Sequence, residues 1–320
     1  YSIVNLKSNN NGNSQMKQMG KPGEMGQMGQ SSTSAETSGK TEVTETKTLT
    51  GEYETSTKDE SAIKTSDGGN LTLENATITK TGDSTNTENS EFYGVNAGVL
   101  TTSNSTTTIK NSTITTNAKG ANAVFATGEN AKVYVYDTTI KTTGESSSRG
   151  LDSTYGGYIE ADNVNISTEG GSCATLATDR GEGTGTFTSK NSTLEITSDS
   201  SYYTSAPFFF VTNTKAVINL EQNTLKYGSG VLLKVAATSQ WGKTGSNGGE
   251  VTFNMTNQEA KGNIEVDNIS TLEMNLKQGS KLETTINSAN TAKSITLNID
   301  STSTLTLTGD CYVTNLTDED

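Results

Sequence analysis

Histidine is absent from the 320 residues. Without imidazole there is no Ser-His-Asp or Cys-His nucleophile system, no histidine general base and no zinc site that needs a histidine ligand. Arginine occurs twice, as Arg149 and Arg180, and the net charge is −13. A nucleic-acid binder shows a basic stripe of clustered lysine and arginine, and nucleic acid is therefore set aside as a partner. Proline also occurs twice, at Pro22 and Pro207, so most of the chain is not a proline-rich linker. The two cysteines, Cys173 and Cys311, form no disulfide framework and are compatible with either redox compartment. No apolar run approaches the roughly 18–20 residues of a bilayer crossing, so no membrane span is expected. The opening YSIVNLKSNN lacks the apolar segment of a signal peptide, and any such peptide is expected to have been removed or to lie outside this sequence.

What is abundant is 57 Thr, 36 Ser, 31 Asn and 32 Gly, almost half the chain. Hydrophobic residues make up 30% and charged residues 18%, so the chain is neither an average enzyme nor a highly charged disordered tail. Threonine favours pleated strands, whereas Asn, Gly and Ser supply turns. The composition reads as all-β with many short turns.

Residues 1–40 stand apart. Met16, Met19, Met25 and Met28 sit among Gln, Gly and Lys without a period of 2 or 3.6. The segment reads as a flexible Met/Gly/Ser-rich arm or linker, or as an arm that orders only against a neighbouring subunit. Its start, with Tyr1, Ile3, Val4 and Leu6, could add to an exposed sheet edge.

From residue 41 onward short strands and turns repeat. Leu71 to Ile78, Thr108 to Ile114, Val133 to Ile140, Tyr158 to Ile166, Phe187 to Leu194 and Val217 to Leu225 share one pattern. In each, an apolar-alternating strand meets an Asn or Asp and another short strand follows. The turn residues are Asn75, Asn111, Asp137, Asp162, Asn191 and Asn223, a ladder with spacings of 36, 26, 25, 29 and 32. Between them lies a second column, NAGVLT (96–101), NAVFAT (122–127), RGLDST (149–154) and CATLAT (173–178). A repeat near 25 residues with several strands per repeat is the signature of a β-solenoid. Each coil pairs with the next about 4.8 Å away, like residues form inward columns, and Asn tolerates the left-handed corner. After residue 249 the repeat shortens: Val251, Leu272 and Ile295 begin matching strands 21 and 23 residues apart. Residues 41–320 are thus expected to be one solenoid, with larger coils to about 249 and shorter ones from 250.

Residues 61–318, about four-fifths of the chain, resemble bacterial secreted right-handed parallel β-helix proteins of the pectate-lyase-like superfamily. The closer likeness is to adhesin-like, non-enzymatic surface members. It is carried by the corner repeats, SSSRGLDSTYGG (146–157), CATLATDRGEG (173–183), FFFVTNTKAVINLE (208–221) and WGKTGSNGGEVTFNM (241–255). The resemblance implies an extracellular or cell-surface location. The crossover preference of parallel strands also favours the right hand.

The lyases of that superfamily use a carboxylate cluster holding Ca2+ and a basic residue, and no such motif maps onto this chain. The nearest metal candidates are Asp152, Asp179 and Glu182, with Arg149 and Arg180 close by. The alternative is an Arg–carboxylate network that ties coils together. Asp152 falls in a column with Val99, Phe125 and Leu176, where it needs a buried partner, or faces water if the register is off by one. A charge of −13 repels a polyuronate but not a neutral glycan. Trp241, Tyr155, Tyr158, Tyr202 and Tyr203, with Arg149 and Arg180, are the glycan-binding candidates. Tyr134 and Tyr136 are expected to cover strands, and Phe208–Phe210 to be core. Cys173 and Cys311 lie five to six coils apart, on the order of 25 Å, so they are expected to be reduced and buried.

Two functions remain open. One is a non-enzymatic extracellular surface or matrix protein without a cofactor, adhesive and self-associating into fibres through open ends and its N-terminal arm. The other is a carbohydrate-binding or polysaccharide-lyase-like protein whose partner is a plant or microbial polysaccharide.

Overall fold

In the computed structural model, residues 35–145, 148–169, 184–239 and 242–319 are described in full, and Val4–Lys7 and Thr175–Thr178 as backbone strands. The period-two segments form strands because alternate residues are apolar and one face of each strand can be buried. Tyr158–Thr168, for example, buries Ile159, Ala161, Val164 and Ile166. Its alternation shifts by one at Asn163, where φ is 54°. A left-handed residue there bends one long strand into two faces, and Asn75 and Asp137 do the same in Asn70–Lys80 and Lys132–Thr142. Asn111 and Asn191 occupy the same corner between separate strands.

Every pairing between named strands is parallel, and they build three sheets. The fourteen-strand sheet runs in chain order along Thr46–Thr55, Asn70–Lys80, Thr106–Lys110, Lys132–Thr142, Tyr158–Thr168, Gly185–Lys190, Thr214–Glu221, Gly249–Thr256, Thr271–Lys277, Ser294–Ile299 and Asn315–Asp318. Thr113–Thr116, Thr193–Ile196 and Thr224–Lys226 pair beside it, past the corner. The ten-strand sheet follows Gly39–Val43, Ser61–Thr65, Val99–Thr101, Val124–Thr127, Leu151–Thr154, Thr175–Thr178, Val4–Lys7, Phe209–Thr212, Val231–Val235 and Asn263–Val266. Glu259–Lys261, Lys281–Thr284 and Thr304–Leu307 form the third. Successive rungs of one chain therefore stack strand on strand, an all-β arrangement compatible with a β-solenoid.

The core is a stack of columns. Ile159, Phe187, Ile218, Phe253, Met274 and Leu297 follow one another in register and are all buried. The shortened repeat after residue 249 continues these columns, with Val251 over Leu272 over Ile295.

The corner ladder holds with two corrections. The left-handed residues are Asn163 and Gln222, not Asp162 and Asn223. Asp162 instead accepts from Asn191 Nδ2 at 3.0 Å, while Asn223 lies one place beyond the corner and is buried. That place carries its own ladder, in which a side-chain oxygen accepts the main-chain N–H of the rung before. Ser192 Oγ takes Val164 N at 3.0 Å, Asn223 Oδ1 takes Ser192 N at 3.1 Å, Gln258 Oε1 takes Asn223 N at 2.8 Å, and Ser280 Oγ takes Gln258 N at 3.2 Å. Corner N–H groups released by the bend are thereby satisfied without water.

Candidate functional site

Two places on this frame gather chemistry. The first lies over the outer face of the ten-strand sheet, where the helix Thr87–Tyr93 is inserted between rungs. Asn86 caps it by accepting from Asn89 N at 3.0 Å, and Gly94 ends it at φ 66°. The helix is pinned from successive rungs: Asn122 Nδ2 donates to Ser90 O at 3.2 Å, Arg149 Nη2 to Glu91 Oε1 at 3.0 Å, and Thr154 Oγ1 to Phe92 O at 2.9 Å. Beneath it Leu100, Phe125 and Asp152 share one register position, so the residue in Asp152's column is Leu100 rather than Val99. Val99 points to the core on the other side of the sheet.

The helix changes what these residues can do. Asp152 is on the outward side yet has no exposed surface, and Arg149 is likewise fully buried. A glycan cannot reach Arg149 here. The arginine ties the insertion to the sheet through Glu91, an Arg–carboxylate link between chain segments as in the network reading. Asp179, Arg180, Glu182, Trp241 and Cys173 lie outside the described residues. Among the described residues no group of three acids or thiols is placed to hold a metal ion. Cys311 is a free thiol and only half-buried, not buried as expected.

Tyr155 has φ 53°, uncommon for an aromatic residue, and stacks on Tyr93 with centroids 5.5 Å apart and planes at 16°. Tyr158 packs beside Tyr134 at 5.9 Å and donates to Glu160 Oε2 at 2.8 Å. Burial first, and then the Glu160 carboxylate, push its hydroxyl up to about 12. Tyr158 thus dresses a strand surface, whereas Tyr155 sits in the turn after Leu151–Thr154 and packs on the inserted helix.

The second place is a groove of about 1150 Å³ on the third face. Thr193–Ile196 and Thr224–Lys226 form its upper wall, and the three-strand sheet its floor. Of the sequence-derived candidates among the described residues, Tyr203 lines it, and Tyr155, Tyr158, Tyr202 and Arg149 do not. Tyr203 can lie close because Gly228 leaves room where a Cβ would strike its ring. Beside it is Tyr227, which the sequence reading missed. Its ring packs 4.9 Å from Phe208, its hydroxyl donates to Lys261 O at 2.5 Å, and burial pushes it up to about 12. The signal available in sequence was an aromatic two residues past Leu225, on the same strand face and next to a glycine.

The ionisable side chains along this groove are Glu195, Lys226, Glu259, Lys261, Lys281 and Glu283, three of each sign. Lys281 meets Glu259 at 3.5 Å and Lys261 meets Glu283 at 3.2 Å, each pair bridging two rungs. Such exposed pairs add little stability, but they remove net charge from the floor of a strongly acidic molecule. Thr304, Thr306 and Thr308 add hydroxyls at the far end.

No protein-family model, curated protein or solved structure matches the chain. Among the described residues no helix is long and apolar enough to cross a membrane.

Proposed function

We propose that the chain is a non-enzymatic extracellular surface or matrix protein. In this reading it is a right-handed parallel β-helix, akin to the adhesin-like members of the pectate-lyase-like superfamily. It holds carbohydrate along one flank and self-associates through its N-terminal arm. The observation that carries the adhesive half is the groove. It crosses five rungs, about 19 Å at the strand spacing, and so suits an extended polymer better than a small metabolite. Two tyrosines supply faces for sugar rings, and the threonines and paired charges supply donors and acceptors. Its balanced charge favours a neutral polysaccharide.

The rival reading, a Ca2+-dependent lyase, needs Asp152 where substrate and metal can reach it. Asp152 is buried under the inserted helix, which favours the non-enzymatic reading.

Native affinity gels containing neutral polysaccharides or polyuronates, with and without Ca2+, test the proposal. A neutral polymer is expected to retard the chain. Tyr203→Ala should weaken retention about ten-fold, the size of a lost aromatic contact near 1.4 kcal/mol. Thr306→Trp, which fills the groove from an exposed strand, should abolish it. Retention that neither substitution changes would remove the groove from the account, and release of unsaturated uronate would favour the lyase.

A further inference from the structure

In the ten-strand sheet one strand breaks chain order: Val4–Lys7 stands between Thr175–Thr178 and Phe209–Thr212. It pairs in parallel with both over all four residues, Val4 opposite Thr175 and Phe209, Leu6 opposite Ala177 and Val211. The start of the chain thus fills the inside of a sheet rather than adding to an exposed edge. Past the corner the same two rungs touch directly. Gly185–Lys190 pairs with Thr214–Glu221, and Thr193–Ile196 with Thr224–Lys226. One face therefore holds an extra strand, and its two walls stand about 9.6 Å apart instead of about 4.8 Å. Empty, such a slot would leave main-chain donors and acceptors unpaired on both walls. The inserted sequence suits it, since Val4 and Leu6 take the register positions of Phe209 and Val211, both core residues.

Rung-to-rung continuity does not dictate which molecule supplies this strand. Residues 8–38, 31 in number, join it to Gly39–Val43 at the far end of the sheet. That strand is six steps away, about 29 Å, whereas 31 residues can reach up to about 100 Å. The whole ten-strand sheet measures only about 43 Å across its strands, so a connection of this length is long enough to extend past it to a second molecule.

We infer that the slot is a strand-exchange site whose partner is a second copy of this chain, with Val4–Lys7 of one copy entering the slot of the next. This rests on the self-association half of the proposed function and gives it a mechanism. Each chain offers one strand and one slot, a heterologous contact that does not close on itself, so repeated exchange yields a chain of copies. The self-inserted form is the resting state in dilute protein, because strand and slot then share a high effective concentration.

Asn5 and Phe210 share a register position on adjacent strands, a spacing a disulfide can bridge. In full chains carrying Cys173→Ser and Cys311→Ser, the single variants Asn5→Cys and Phe210→Cys are mixed at high concentration, passed briefly through mild denaturant and oxidised. Exchange gives a disulfide-linked heterodimer on a non-reducing gel. Adding Leu6→Asp to the Asn5→Cys chain should lower its yield at least ten-fold. Should that variant unfold, the heterodimer from the two cysteine singles decides alone. The inference is overturned if Asn5→Cys/Phe210→Cys closes within one chain at every concentration while the mixed singles never link. Light scattering separates the two claims. Multimers without the cross-link overturn exchange and leave self-association standing, whereas neither multimers nor cross-link overturns both and leaves polysaccharide retention to stand by itself.

Discussion

Lys80 occupies a register position filled by Thr116, Thr142 and Thr168 on later rungs, and none of the four has exposed surface. Its Nζ donates to Thr57 O at 2.7 Å and Thr81 O at 2.6 Å. Burial pulls the ammonium down from 10.5 to about 8, against the opposing influence of Glu60, Asp59 and Asp83. Between those two values the unfolded chain holds the proton and the folded one does not, so stability rises with pH across this window. Tyr158 and Tyr227, both pushed up to about 12, act the other way, because the unfolded phenols ionise from pH 10 and stability then falls. Urea midpoints are expected to rise from pH 8 to about pH 10 and to decline above it, the rise being on the order of 2 kcal/mol. Lys80→Met should flatten the rising limb and spare the falling one. A rising limb that persists in Lys80→Met would show that other groups cause it.

Strands stacked in register place each residue over its counterpart, and polar residues gain from this when they can bond in series. Asn254 Nδ2 donates to Asn219 Oδ1 at 2.9 Å, Asn275 to Asn254 at 2.8 Å, and Asn298 to Asn275 at 2.8 Å. Removing an interior member deprives two neighbours, removing the last deprives one. Asn254→Ala is expected to cost about 1–3 kcal/mol and Asn298→Ala about half that, measured by urea unfolding. Equal costs would mean that the amides bond to water instead. At this scale the sequence was widely legible. The apolar columns, the corner asparagines and the shortened repeat could all be read because each is a periodic pattern of residue type. The one-residue slips at Asp162 and Asn223 arose because Asp162-Asn163 and Gln222-Asn223 each offer two adjacent residues that suit a corner, and only the direction of neighbouring side chains decides between them. The inserted helix and the groove were not legible. The helix depends on which rung a loop folds over, and a loop has no period; the groove lies where Thr224–Lys226 and Glu259–Lys261, on successive rungs, do not pair, which no residue pattern marks.

For the whole molecule, stacking like over like would repel wherever charges recur, and the chain alternates their sign. Lys190 faces Glu221 at 3.8 Å, Lys215 faces Glu250 at 3.6 Å and Lys234 faces Glu265 at 3.8 Å, each on the adjacent rung. Rungs contact only their neighbours, so stability is expected to be graded along the axis. Among the described residues the exposed large hydrophobics, Leu307, Tyr312 and Leu316, all belong to the last rungs. Hydrogen exchange followed by mass spectrometry should find residues 304–318 exchanging fastest and the rungs around 107–166 slowest. Uniform protection would instead mark the molecule as one cooperative block.

The out-of-order strand also decides how tension would travel. A pull between residue 1 and residue 319 enters the body at Val4–Lys7, in the middle of the sheet, and leaves through the rungs beyond Phe209. The rungs from Gly39 to Thr168 lie off that line and carry no load until the four-residue strand slips. The load then passes to Gly39–Val43 at the end of the sheet, and those rungs come under it from that end, one after another.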